Sequence, residues 1–137
     1  LTRSSAASDV YKRQAVDFLD NGGGSGEEAC DYCRGNRDPR SSDNPDKAII
    51  SLKNDRETEY KVYIAVQNEL VAAYNVLRNR EFSRLNPNMG ISYVEADLIY
   101  SDPRTSATDK ASLKEKLDVV KKLYPQKLSE AEPSKVN

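Results

Sequence analysis

Histidine is absent from the 137 residues, and so is tryptophan. Without histidine the chain lacks the commonest general base, the usual nitrogen ligand for metals and the side chain that titrates near neutrality, which excludes histidine-dependent triads and zinc-protease motifs. Phenylalanine and cysteine occur twice each, methionine once, and hydrophobic residues make up only 37%. That composition predicts a thin core, with part of the chain outside it and a surface that wants a partner. Long apolar runs are missing as well. No window approaches the ~18 consecutive apolar residues of a membrane helix, and the first residues contain no apolar stretch of signal-peptide type. An excess of one charge is also lacking: 21 Lys and Arg stand against 22 Asp and Glu, a formal net charge of −1. There is no basic field to attract duplex nucleic acid or an anionic membrane surface, so neither is expected as a partner. The length fits one compact domain.

Residues 4–14, SSAASDVYKRQ, resemble at every position one translated frame of the transposon-end adaptor attached to fragments in shotgun sequencing. Residues 1–14 are therefore expected to be artefactual or disordered and are set apart from fold reasoning. Setting them apart removes Arg3, Lys12 and Arg13 against Asp9, which leaves the remainder slightly acidic. It also implies a gene cut at its 5′ end, with whatever preceded Ala15 missing.

Residues 15–21 begin with AVDFL, the expected end of a truncated amphipathic helix, and the glycines from Gly22 onward stop it. Residues 22–47 show no apolar periodicity and are expected to be a flexible Gly/polar loop. In 48–79 the order is a strand, then a long helix. Ala48 to Lys53 is β-rich, with Ile50 and Leu52 on one face and Ile49 opposite, and Asn54-Asp55 supply a turn. From Glu59 to Asn79, Tyr63, Val66, Leu70, Tyr74 and Leu77 recur at spacings of three and four, the pattern of a core or dimer face, with Thr58 as the expected N-cap. A second stripe, Val62, Ala65, Glu69, Ala72 and Ala73, is small enough to admit another backbone. Residues 80–123 read as helical: Ser92-Tyr93-Val94-Glu95 is a capping box, Ile91 and Ala96 are placed for a hydrophobic staple, and a short helix reaches about Tyr100. Thr108 is the expected cap of a further helix whose Leu113, Leu117, Val120 and Tyr124 share a face before Pro125. Residues 124–137 are a terminal strand or tail.

Chemistry-bearing patterns are sparse. Cys30-Asp31-Tyr32-Cys33 is a lone CxxC in a polar loop. It lacks the flanking strand and helix of a thioredoxin-like site, and two thiolates without histidine cannot close a tetrahedral zinc site within one chain. A structural pair, a disulfide, zinc shared between copies and a small redox module remain open. Gly22 to Gly26 has neither the preceding strand nor the following Gly-Lys-Ser/Thr of a phosphate cradle. The carboxylate pairs Glu27/Glu28 and Glu57/Glu59 have the placement of solvating residues. Tyr60, Tyr63 and Tyr74 lie on one side of the long helix, where core or dimer packing is a simpler role than a ligand box. No catalytic residue, cofactor site or metal site is expected beyond Cys30 and Cys33.

Two segments taken together, residues 47–79 (KAIISLKNDRETEYKVYIAVQNELVAAYNVLRN) and 124–133 (YPQKLSEAEP), resemble the bacterial ExbD/TolR family of biopolymer transport proteins, most closely the branch with extended periplasmic domains. The resemblance covers roughly 15–137. It implies an α+β fold with helices packed on one face of a short sheet, in which Ala48 to Lys53 is a sheet strand, Glu59 to Asn79 a helix and Lys127 to Glu132 the closing strand. It further implies a homodimer on the periplasmic side of the inner membrane, held by a single-pass anchor absent from this chain. Such a dimer sits with an ExbB/TolQ-like membrane subunit and passes proton-motive work to a TonB/TolA-like protein. The periplasm would favour a Cys30 to Cys33 disulfide over zinc. The sequence departs from the family where residues 80–123 form a helical insertion in place of a short turn. Apart from the resemblance, a small CxxC redox or zinc module and a helical protein-interaction domain are the competing readings.

Overall fold

In a computed structural model, which describes residues 3–53, 57 and 59–131, the chain is a mixed α+β unit of four helices and a two-stranded parallel sheet. Helix α1 (Arg3–Leu19) is followed by a long loop with one 3-10 turn at Gly26–Glu28 and then by strand β1 (Ile50–Lys53). Helices α2 (Tyr60–Leu85), α3 (Tyr93–Ser101) and α4 (Ala107–Leu123) come next, and strand β2 (Leu128–Ala131) returns alongside β1. Among the described residues no helix is long and apolar enough to cross a membrane.

Local chemistry explains most boundaries. Helix α2 stops where Asn86 precedes Pro87, since a following proline disfavours helical backbone; Asn86 has ψ 61° and its side-chain amide donates to the Phe82 carbonyl at 3.1 Å. The Ser92 hydroxyl accepts from the Glu95 N–H at 3.1 Å, the N-cap half of the expected capping box, while the Glu95 carboxylate accepts from the Ser92 hydroxyl at 3.3 Å, and Ile91 packs against the same cluster as Ala96. Helix α4 departs from expectation. Its cap is Ser106, which accepts from the Asp109 N–H at 3.1 Å, so Thr108 already lies inside the helix. Helix α2 is also longer than Glu59 to Asn79, because residues 80–85 continue its periodicity into Glu81 and Phe82, both buried. Its N-cap position is Glu59, with no side-chain cap bond. Thr58, the Asn54-Asp55 turn and everything beyond Ala131 lie outside the described residues.

Two further segments differ from expectation. Residues 3–14, expected to be artefactual or disordered, are helical, continuous with 15–19 in one 17-residue helix. Residues 22–47 are tied down by backbone bonds, with Gly23 N–H donating to the Ser42 carbonyl at 2.9 Å and Gly24 N–H to the Asp43 carbonyl at 3.0 Å, so a flexible loop is not what forms. Low apolar content conceals such a loop from periodicity, because its order comes from hydrogen bonds and not from a buried stripe.

Helix α2 is the spine. Its Leu70 and Ala73 meet Ala15 of α1, with Val66, Ile50, Leu52 and Leu128 packed around them, so the inner face of the sheet sits on the helices. Tyr74 and Leu77 meet Leu19, Ala48 and Tyr124. Phe82 meets Tyr93 and Ala96 of α3 and Leu113, Leu117 and Val120 of α4. Each such large side chain contributes roughly 1.5–3 kcal/mol on full burial. Of the small stripe, only Ala73 is buried, against α1; Val62 is 48% exposed. The terminal strand pairs with β1 in the register Ile50 to Leu128 and Lys53 to Ala131.

Candidate functional site

The most highly organised polar region lies where the disulfide loop, α1, α2 and the end of α4 converge. Helix α1 ends at Leu19, and the loop supplies partners for the carbonyls at and just beyond that end: the Ser42 hydroxyl donates to Phe18 O, Gly35 N–H to Asp20 O at 2.8 Å and Arg37 N–H to Asn21 O at 2.9 Å. Asn21 is buried and saturated. Its amide donates to the carbonyls of Asp38 at 2.9 Å and Ser42 at 2.8 Å, and its oxygen accepts from the Asp38 N–H at 3.1 Å. Gly22 follows with φ +65°, where a Cβ would stand 2.7 Å from Cys33 Cβ; glycine is required there on both counts.

Beneath the loop lies a charged cluster. Arg80 of α2 forks onto Asp20 at 2.7 and 3.1 Å, reaches the Tyr32 carbonyl at 3.3 Å and donates to the Tyr124 hydroxyl at 3.0 Å. The Tyr124 hydroxyl in turn donates to Asp20. Glu81, wholly buried, is held by Arg80 at 3.2 Å and Arg84 at 2.8 Å. Tyr32 donates to the Leu123 carbonyl at 2.7 Å and meets Tyr124 edge to face at 5.5 Å. The buried charges are thereby paired and hydrogen-bonded, which is the condition for burying them at all.

Burial pushes the Asp20 carboxyl upward, but the bonds from Arg80, Tyr124 and the Arg34 N–H outweigh it and hold the group below the ordinary carboxylate value. Burial, and then donation to the Asp20 carboxylate, push the Tyr124 phenol well above its ordinary value. For Arg80, burial works against the charge, and the Asp20 bond overcomes it, so the guanidinium is held more firmly than usual. Throughout the neutral range Asp20 stays ionised, Arg80 stays protonated and the Tyr124 phenol stays neutral. The cluster can therefore clamp elements together but cannot exchange protons near pH 7.

Cys30 and Cys33 form a disulfide, with Cα atoms 5.5 Å apart. In this oxidised form neither sulfur is a thiolate ligand, and among the described residues no group of three or more Cys, Asp or Glu could hold a metal. Among the described residues there is no thioredoxin-like arrangement either: the helical turn beside the pair, Gly26–Glu28, precedes it, and no helix begins at Cys30. Of the expected helix face, Leu70, Tyr74 and Leu77 are buried within the chain, Val66 packs beside them, and Tyr63 is half-buried. Three of the five are thus core residues and cannot be a dimer surface, because α1, Ala48 and Tyr124 already cover them. Tyr60 is 72% exposed. A shallow apolar groove of about 300 Å³ between α1, β1 and α2, lined by Phe18, Ile49 and Leu70 among others, lies apart from the cluster.

The Asp20, Arg80, Tyr124 and Glu81 cluster and the role of Arg37 had no local signature. Asp20 and Arg80 are 60 residues apart, and Asp20 and Tyr124 are 104 apart. The one available hint was Arg80-Glu81, a charged pair on the apolar side of the long helix. No protein-family model, no curated protein and no solved structure matches the chain.

Proposed function

We propose that this chain is the periplasmic, non-enzymatic domain of an ExbD/TolR-like energy-transducing protein, working by dimerisation and partner contact. One observation carries the reading. The two segments that bear the resemblance, 47–79 and 124–133, are brought together by direct parallel pairing of β1 with β2, from Ile50 opposite Leu128 to Lys53 opposite Ala131. An insertion that had displaced the last strand from the sheet would have argued against the family architecture. The disulfide suits an oxidising compartment. Among the described residues the sheet has two strands and no third strand on either edge; such a sheet is marginal by itself, which suits a domain that completes it with a second copy or a partner strand. The ExbB/TolQ-like and TonB/TolA-like partners and a membrane anchor belong to this proposal. A purely helical interaction domain accounts less well for the strand pair.

Reading the native gene upstream of the Ala15 codon tests the assignment. The expected result is one apolar segment of about twenty residues containing an aspartate; a start codon close to Ala15 overturns proton coupling. Light scattering tests dimerisation, and a strictly monomeric chain at high concentration overturns that part.

A further inference from the structure

Cys30 and Cys33 are each 3% exposed, yet the chain over them is surface: Asp31, Arg34, Asn36 and Arg37 are all exposed. Arg37 holds that cover shut. Its backbone is left-handed, φ 56°, and its guanidinium donates to the carbonyls of both Cys30 and Cys33, spanning the four-residue turn, and to Gly22 O at 3.4 Å. On the inner side, Cys33 Sγ lies 4.0 Å from the Tyr124 hydroxyl, which itself accepts from Arg80 at 3.0 Å. The one hydroxyl proton of Tyr124 is held by Asp20 in the oxidised chain, so a thiolate leaving at Cys33 draws on it only by competing with that carboxylate.

We propose that Cys30–Cys33 is a thiol–disulfide exchange site for a dithiol reductant, latched by Arg37 and read out at Tyr124. Arg37 swings off the two carbonyls, and a thiolate of the dithiol attacks Cys30 Sγ. The Cys30–Cys33 bond breaks, and its electron pair leaves with Cys33. The second thiolate of the dithiol then attacks the mixed disulfide, releasing Cys30. Two electrons pass to the protein, the dithiol becomes a disulfide, and its two protons end on the cysteine sulfurs. In the reduced chain Tyr32 is no longer fixed by the covalent turn, so its contacts to Leu123 and Tyr124, at the junction of α4 with β2, loosen. This site does not depend on the energy-transduction reading.

The test is native-state reduction of the oxidised chain by excess dithiothreitol, with thiols trapped by iodoacetamide and counted by mass spectrometry. Global unfolding is followed in parallel by far-ultraviolet circular dichroism. Reduction is expected to outrun global unfolding and to change the near-ultraviolet tyrosine signal while the helical signal stays. Arg37→Asn, which tolerates left-handed backbone but lacks the fork, is expected to react about tenfold faster, and Arg37→Lys also faster than the parent. If Arg37→Asn does not fold, Arg37→Lys decides. Reduction no faster than unfolding, fork-less variants at the parent's rate, or an unchanged tyrosine signal would each overturn the proposal.

Discussion

Replacing Arg80 with methionine removes the one cation that satisfies Asp20, shares Glu81 and supports the Tyr124 hydroxyl, while keeping a long apolar stem in its place. The Asp20 side chain is 8% exposed, Glu81 0% and Arg80 26%. Breaking a fully buried pair from one side costs about 3–5 kcal/mol. Because a quarter of the arginine meets water, we expect ~2–4 kcal/mol, or a melting temperature lower by about 10 °C for a chain of this size. Urea unfolding of oxidised protein at pH 7, followed by circular dichroism, measures it. The same measurement on Asp20→Asn and on the double variant closes a cycle: the cost of Arg80→Met should shrink by at least ~1 kcal/mol once Asp20 carries no charge. The penalty should also fall in acid. Asp20 sits below its ordinary 3.8 in the folded chain, so its contribution is complete above that pH and is lost as pH falls through the lower folded value. Additivity within ~0.5 kcal/mol, or a penalty that does not change with acid, would refute the reasoning.

Other expectations follow from the same geometry. Ser106→Ala should cost about 1 kcal/mol, as loss of a cap does, while Thr108→Ala stays within ~0.5 kcal/mol, both by denaturant unfolding; the reverse order would restore Thr108 as the cap. Gly35→Ala places a Cβ 2.5 Å from the Asp20 carbonyl, so the loop should lift from the end of α1 and the amide protons of Gly35 and Arg37 should lose protection from hydrogen exchange. Tyr124→Phe should flatten the alkaline limb of the stability curve. The Tyr124 phenol is raised above its ordinary 10.0, so its contribution is intact below pH 10 and is lost as pH climbs towards the higher folded value. Unfolding series at pH 9 and pH 11 compare the two slopes.

What local chemistry can specify was legible. The face of the long helix through Leu70, Tyr74 and Leu77, the Ser92 N-cap and the shared face of Leu113, Leu117 and Val120 rest on neighbours within a few residues, and the structure has each of them; the strand expected from Ala48 begins at Ile50, and Tyr124, expected on the α4 face, is instead the cap beyond the helix and packs with Leu19, Ala48 and Tyr74. The Thr108 assignment failed because Ser106 and Thr108 are both cap-forming residues two positions apart, and the Asp109 N–H bonds to the first of them. Residues 22–47 failed for a different reason. A loop ordered by side-chain and backbone hydrogen bonds has no periodicity to read, and Asn21, Gly35 and Arg37 do nothing recognisable until their partners arrive.

The sequence by itself determined that α2, α3 and α4 form, the strand segments and the poverty of the core, because propensity, capping and apolar spacing act over one or two turns of chain. Only the tertiary structure decided that the last strand runs parallel beside β1, that Asp20, Arg80 and Tyr124 meet, and that Arg37 closes over the disulfide. Those contacts join residues up to 104 positions apart. Such pairings are chosen by which arrangement buries the charges with every partner satisfied, a condition no local stretch of sequence can express.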